Sequence, residues 1–208
     1  MTDLERRLQR RPTVDVDPAA VTAALAARAD ADGLLDIAWD TLDSPLGELA
    51  VFLTPRGLVR LSYGNEPMSD TLDELSSRVS PRILRSARRT DRTRRELDAY
   101  FEGRLRRFET PVDWSLTRGF ARGVLAATAR IPFGETASYG EVAAEAGSPR
   151  AARAAGNALS SNPIPIVVPC HRIIHAGGGI GGYTGGLERK RFLLRVEGIS
   201  PSDRTQGG

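Results

Sequence analysis

The chain is poor in the residues that hold metals and disulfides. It has one cysteine, Cys170, and two histidines, His171 and His175. A single cysteine excludes an internal disulfide, and no Cys/His cluster has zinc spacing, so no metal and no other cofactor is expected. Lysine is nearly missing: of 29 basic residues only Lys190 is lysine, and the rest are arginine. No segment approaches the ~20 continuous apolar residues of a membrane helix. The first residues, Met1 to Arg11, are charged and lack the apolar run of a signal peptide. These absences predict a soluble, cytoplasmic protein with no membrane partner.

What is present supports a folded enzyme-sized chain. It has 208 residues, 40% of them hydrophobic, enough for one sizeable core or two modest ones. The net charge is +3. Arginine pairs with phosphate through two parallel bonds and stacks on bases, so its excess suits a nucleic-acid partner. A proteome-wide bias toward arginine and alanine produces the same excess, and charge alone does not decide between them.

Four regions follow from the patterning. Residues 1–35 are a polar extension with helical stretches around Leu4–Arg10 and Pro18–Ala31, the second opened by Asp17 as cap and Pro18 as first helical residue. Residues 36–112 begin with three short apolar runs, Asp36–Leu42, Glu48–Thr54 and Leu58–Tyr63. Ser44-Pro45-Leu46-Gly47 and Pro55-Arg56-Gly57 separate them as turns, which predicts an antiparallel meander. Helical periodicity then covers Thr71–Arg78 and Asp91–Phe101, with Leu97, Tyr100 and Phe101 on one face. The arginines between Arg82 and Arg107 read either as a DNA patch or as a solvated helix face.

A boundary falls near Pro111–Asp113, and residues 113–200 turn mostly helical before a tail at 201–208. Helices are expected over Thr117–Ala129, Tyr139–Ala146, Pro149 to about Ser160, and Leu187–Val196. Ser148 is placed to cap the third and Pro149 to open it. Two short helices joined by a tight turn at Gly147 form a helix-turn-helix pattern. The fold class is α+β.

The chemistry concentrates in Asn162-Pro163-Ile164-Pro165-Ile166-Val167-Val168-Pro169-Cys170-His171-Arg172. Prolines at 163, 165 and 169 exclude a helix and disfavour a central strand, so the segment is a rigid extended turn. A lone cysteine in apolar surroundings is usually an inert core thiol. Here His171 and Arg172 place cations next to it, which predicts a lowered thiol pKa and a reactive thiolate. The glycine-rich stretch Gly177–Gly186 then lets a planar ligand approach the backbone.

Pro169-Cys170-His171-Arg172, with Asn162-Pro163 before it, resembles the active-site signature of the O6-alkylguanine-DNA alkyltransferases. The likeness runs from about Arg118 to Gly198. It includes Ser138-Tyr139-Gly140-Glu141-Val142-Ala143, Ala152-Arg153-Ala154-Ala155-Gly156 and Gly182-Tyr183-Thr184-Gly185-Gly186. The preceding meander is similar, more loosely, to the family's ribonuclease-H-like amino-terminal domain.

The resemblance implies a monomer that binds double-stranded DNA through the minor groove, with cooperativity left open. It implies repair of O6-alkylguanine, and of O4-alkylthymine, by base flipping and one irreversible transfer to Cys170. His171 would act as base through a water, held by Glu197, while Asn162 ties the helix-turn-helix to the active-site turn. Arg153 would enter the base stack. Ala152, Ala154, Gly156 and Ser138 would lie against the groove, and Tyr139 would press on a phosphate and give guanine a proton. Val168, Cys170 and Ile173 would read the base edge by their backbone, the Thr184 amide would donate to the guanine oxygen, and Tyr183 and Leu159 would wall the pocket.

Other readings fit less well. A sensor that flips the base without repair lacks the cysteine that stands here. A thiol hydrolase needs a dyad that adjacent Cys170 and His171 form only awkwardly. A transcription regulator wants a polar recognition helix, whereas Ala151–Leu159 is largely small and apolar.

Overall fold

A computed structural model describes residues 17–200. Helix α1 (Pro18–Ala31) starts where the Asp-Pro pair predicts. The Asp17 carboxylate accepts from the Ala19 amide at 2.9 Å, and Pro18 sits in the first turn. The other expected leader helix, Leu4–Arg10, lies outside the described residues.

Strands β1 (Ile37–Leu42), β2 (Leu49–Thr54) and β3 (Gly57–Tyr63) form the expected antiparallel meander. Alternation is weak in their sequence because both faces are covered. Ile37, Ala50, Phe52 and Val59 pack against Leu75 on one face. Leu49, Val51, Leu58 and Leu61 face the other way, toward Leu97 and Tyr100.

A fourth strand corrects the simple meander. β4 (Ile83–Arg85) pairs parallel to β1, giving the order β3-β2-β1-β4. Three residues inside an arginine-rich stretch carry no readable strand period. Around β4 lie α2 (Met68–Arg78) and α3 (Ala87–Phe101), each longer than expected at its start. The polar openings Met68-Ser69-Asp70 and Ala87-Arg88-Arg89 hide the helical period. Many of the nearby arginines face acids: Arg82 pairs with Asp36, Arg85 and Arg94 with Asp40, Arg89 with Asp30, and Arg92 with Glu96. This part of the run is an ion-paired surface.

The second half begins at a 3-10 turn, Trp114–Leu116, whose start is capped by Asp113. That turn consumes Thr117, so α4 (Gly119–Thr128) begins later than its apolar period suggested. Strand β5 (Ala137–Ser138) leads into α5 (Tyr139–Glu145), where Ser138 and Glu141 form a reciprocal capping box. Helix α6 (Ala152–Ser160) follows, and α7 (Leu187–Val196) closes the fold.

Ser148 does not cap α6. Its amide donates to Ala143 O at 2.8 Å and that of Gly147 to Ala144 O at 2.9 Å. With Gly147 at φ +83° this is a Schellman closure of α5. Ser148 therefore ends one helix, and the next opens not at Pro149 but at Ala152, with Ala151 as its N-cap residue.

One apolar cluster joins the halves, running from Val51, Leu61 and Tyr100 to Leu125, Val142, Leu159 and Ile164. Two backbone links brace it. Leu58 donates to Pro111 O at 2.8 Å, and Leu61 donates to Pro163 O at 2.9 Å. Gly57 stands at the first link with φ +134°, and a Cβ there would lie 2.2 Å from Pro111 O. Gly57→Ala is therefore expected to cost at least about 2 kcal/mol in denaturant titration, from strain and a broken joint.

Candidate active site

Four local structures converge on Cys170. The proline-rich turn leads into a short 3-10 helix, Cys170–Arg172, followed by β6 (Ile173–Ile174). β6 pairs parallel with β5, Ala137 to Ile173 and Ser138 to Ile174. That pairing brings the start of α5, and so Tyr139, beside the cysteine turn. Inside the turn Ile166 adopts φ +73°, an uncommon conformation for a β-branched residue. Complete burial and the Val168 amide donating to Ile164 O at 2.9 Å hold it there.

Asn162 is the clamp of this turn. Its Oδ1 accepts from the Ile164 amide at 3.0 Å, and its Nδ2 donates to Val168 O at 2.8 Å and toward Cys170 Sγ at 3.2 Å. The Asn162 amide donates to Leu159 O at 3.2 Å, joining the clamp to the end of α6.

Cys170 is only 7% exposed. Burial pushes its thiol pKa up, while the Asn162 hydrogen bond, the Lys190 charge and the Tyr183 hydroxyl pull it back without cancelling the rise. This corrects the expectation of a thiol lowered by His171 and Arg172. Adjacency along the chain was misleading, because both side chains turn away toward Glu197.

Glu197, at the end of α7, is buried. It accepts from Arg172 Nε at 2.8 Å and from Arg172 through a second nitrogen at 2.9 Å. It also pairs with His171 Nε2 at 2.8 Å, accepts from the Tyr100 hydroxyl at 2.7 Å, and is reached by the Gly134 amide at 3.3 Å. Burial pushes the carboxyl up, but His171 and Arg172 outweigh it and hold it down at about 2. Burial also pushes the His171 pKa down, against the pull of Glu197.

His171 is therefore neutral at pH 7. Ionised Glu197 only accepts, so Nε2 carries the proton and donates to it. Nδ1 is left with a lone pair, and it is buried with no protein partner. An orphaned acceptor of that kind is where a water is expected to sit.

Above the sulfur lies a cavity of about 410 Å3, lined by Tyr139, Gly156, Leu159, Ser160, Cys170, Gly182, Tyr183 and Thr184. Five of the expected pocket and groove residues thus share one space with the cysteine. The Gly182 amide donates to the Tyr139 oxygen, which leaves the phenol proton free to donate elsewhere. The Thr184 hydroxyl donates to Ser160 O at 2.7 Å. Val168 and Ile173 stand behind the wall. The Val168 carbonyl already accepts from Asn162 and from the Cys170 amide at 2.8 Å, and the Ile173 carbonyl accepts from Lys190 Nζ at 2.5 Å. Arg153 and Ala154 project outward from the exposed face of α6, with Ala152 half-buried beside them, while Ala155, Ala158 and Leu159 pack inward.

Sequence reasoning missed Lys190 and Tyr100. Lys190 is fully buried, holding Ile173 O and, at 3.2 Å, Gly182 O. Burial brings its pKa down to about 8. Its being the only lysine in an arginine-rich chain was a signal that went unused. Tyr100 showed only as part of an apolar helix face. Among the described residues no group of three or more His, Cys, Asp or Glu side chains is arranged to hold a metal, and no helix is long and apolar enough to cross a membrane.

Comparison with known proteins agrees with this geometry. Residues 37–114 match the family model described as 6-O-methylguanine DNA methyltransferase, ribonuclease-like domain, and residues 119–199 its DNA binding domain. A methylated-DNA–protein-cysteine methyltransferase of Mycolicibacterium paratuberculosis is 43% identical over 168 residues, covering 77% of this chain and 92% of the relative. The protein of that name from Mycobacterium tuberculosis is 40% identical over 170 residues, covering 81% and 98%. The crystal structure of Mycobacterium tuberculosis OGT in complex with DNA superposes with a TM-score of 0.64 at 38% identity, covering 80% of this chain and 96% of that one.

Replacing Glu197 would leave Arg172 charged and buried without its partner. Glu197→Gln is expected to lose about 3 kcal/mol at pH 7 in denaturant titration. The wild-type contribution is present above pH about 4.5 and lost as pH falls toward about 2, because the folded carboxyl is lowered from 4.5 to about 2. The Gln variant lacks that acid-side slope.

Proposed function

The chain belongs to the O6-alkylguanine-DNA alkyltransferase family, and we propose that it repairs alkylated guanine in DNA by moving the alkyl group irreversibly onto Cys170. The observation that carries this reading is a buried thiol at the floor of a cavity, beside a neutral histidine whose free nitrogen is Nδ1.

The geometry supports a role for each residue. His171 Nδ1 takes the thiol proton through a bridging water, and Glu197 fixes the ring and steadies the charge it gains. The Cys170 sulfur attacks the alkyl carbon, a C–S bond forms, and the C–O6 bond breaks with its electron pair left on guanine. Tyr139 donates a proton to the purine, which leaves neutral. The proton gained by His171 and the one lost by Tyr139 rebalance through solvent. Asn162 holds the turn and faces the sulfur, so it stabilises the thiolate as it forms.

A thioether is not reversed by ordinary thiols, so each chain acts once and needs no cofactor. O4-alkylthymine is a second substrate on the same chemistry. Leu159, Tyr183 and Thr184 wall the pocket, and the Thr184 amide donates to the guanine oxygen. Val168, Cys170 and Ile173 read the base edge through their backbone groups.

DNA binding uses α5 and α6, with α6 in the minor groove. Arg153 fills the space left by the flipped base, which offsets part of the few kcal/mol of unstacking. Ala152, Ala154 and Gly156 let the helix approach closely, and Ser138 and Tyr139 face the backbone. Residues 36–112 form the ribonuclease-H-like domain and 113–200 the DNA-binding and catalytic domain, between an extension at 1–35 and a tail at 201–208. The chain works as a monomer in the cytoplasm.

Intact-mass measurement after mixing with a duplex carrying one O6-methylguanine tests the chemistry. A gain of about 14 Da, one methylene, confined to the Cys170 peptide and saturating at one per chain, is expected; Cys170→Ala gains nothing. Tight lesion binding without a mass gain would identify a sensor instead. Arg153→Ala is expected to slow transfer from duplex about 10- to 100-fold while iodoacetamide still modifies Cys170 at the wild-type rate. Equal slowing of both reactions would remove Arg153 from the flipping role.

A further inference from the structure

At the end of β3 the ribonuclease-like half meets the wall of the pocket that holds the sulfur. Tyr63 ends β3 and is 4% exposed, yet its hydroxyl lies 2.7 Å from that of Tyr183 in the pocket wall. Arg189 of α7 lies over the Tyr63 ring, 4.4 Å from its centroid, and donates to Asn65 Oδ1 at 2.9 Å and to Gly185 O at 3.0 Å. A Cβ on Gly185 would meet the Tyr183 ring at 2.7 Å and the Tyr63 ring at 3.0 Å. The chain thus keeps a glycine where the two rings must close on each other, and a cation where the deeper ring must stay.

We propose that Tyr63 is a positioning residue for alkyl transfer: its hydroxyl donates to the Tyr183 oxygen and so aims the Tyr183 proton at the Cys170 sulfur. The inference rests on Cys170 being the alkyl acceptor. The direction of the pair follows from what lies at each end. A forming thiolate accepts, so Tyr183 must donate to it, and the Tyr183 oxygen is then free to accept from Tyr63. Each bond of such a chain polarises the next and strengthens the donor that faces the sulfur.

The other groups around the sulfur leave this role open. Asn162 faces it from the turn, Lys190 from α7 and Tyr139 from α5, while His171 and Arg172 are taken up by Glu197. Lys190 donates to two carbonyls and acts only through its charge. Tyr183 lines the same cavity as Cys170 and its hydroxyl is among the groups that pull the thiol's pKa down, and Tyr63 is the group that holds that hydroxyl.

Single-turnover rates of methyl transfer, with the O6-methylguanine duplex in excess, test this across the neutral-to-alkaline range. Wild type, Tyr63→Phe, Tyr183→Phe, the double variant and Gly185→Ala would be compared. Tyr63→Phe is expected to be about 3- to 10-fold slower at neutral pH. Its profile moves to higher pH, and its rate approaches the wild type once the thiol ionises unaided. The double variant matches Tyr183→Phe, and Gly185→Ala, which forces the rings apart, shifts the profile the same way. A Tyr63→Phe profile that overlays the wild type, or lies below it by one factor at every pH, overturns the positioning role. Full additivity in the double variant does the same. A wild type that takes up no methyl group overturns the alkyl-transfer reading and this inference with it.

Discussion

The carboxylate of Glu197 ties together pieces of chain that lie far apart in the sequence. Arg172 grips it with two nitrogens, His171 bonds it from the reactive turn, Tyr100 reaches it from α3 of the first half, and the Gly134 amide comes from the loop before α5. A charge taken out of water costs several kcal/mol, and only a full set of donors offsets that. Here the donors come from the reactive turn, from α3 and from the loop before α5, so satisfying one anion fixes the relative placement of all three. The orientation of His171 is a by-product of the same constraint. With Nε2 committed to Glu197, Nδ1 is the nitrogen left for chemistry.

The site resolves a conflict between burial and reactivity. A thiol sunk in an apolar core is protected from stray electrophiles, but burial raises its pKa and quiets it. The protein does not answer with a neighbouring full charge, since the adjacent cation, Arg172, is spent on Glu197. It surrounds the sulfur with the Asn162 amide, the Tyr183 hydroxyl and the Lys190 charge, each of which pulls the thiol's pKa down. Donors fixed in place gain most when charge develops in front of them, so they favour the transition state over the resting thiol.

Much of this was legible in the residues, and the failures have physical causes. The cysteine turn could be read because its prolines act on their own backbone, a local effect that needs no partner. The meander and helix ends at Asp17 and Gly147 could be read for the same reason. Glu197 looked like any surface carboxylate without the family resemblance, because its burial depends on Arg172, 25 positions away. β4 was invisible because its pairing with β1 is long-range and its side chains are partly exposed. The direction of the Cys170 shift was misjudged because proximity along the chain says nothing about where a long side chain points. The role of Ser148 was misassigned because a Schellman closure and a cap compete for the same residue.

The burial of Lys190 has a consequence outside catalysis. It is the only lysine in all 208 residues, and its ammonium is folded shut over Ile173 and Gly182. A protease that cuts only after lysine therefore has a single bond to attack, and native α7 withholds it. Cleavage at that bond times how often the wall behind the reactive sulfur comes open. The chain carries its own clock for the breathing of its active site.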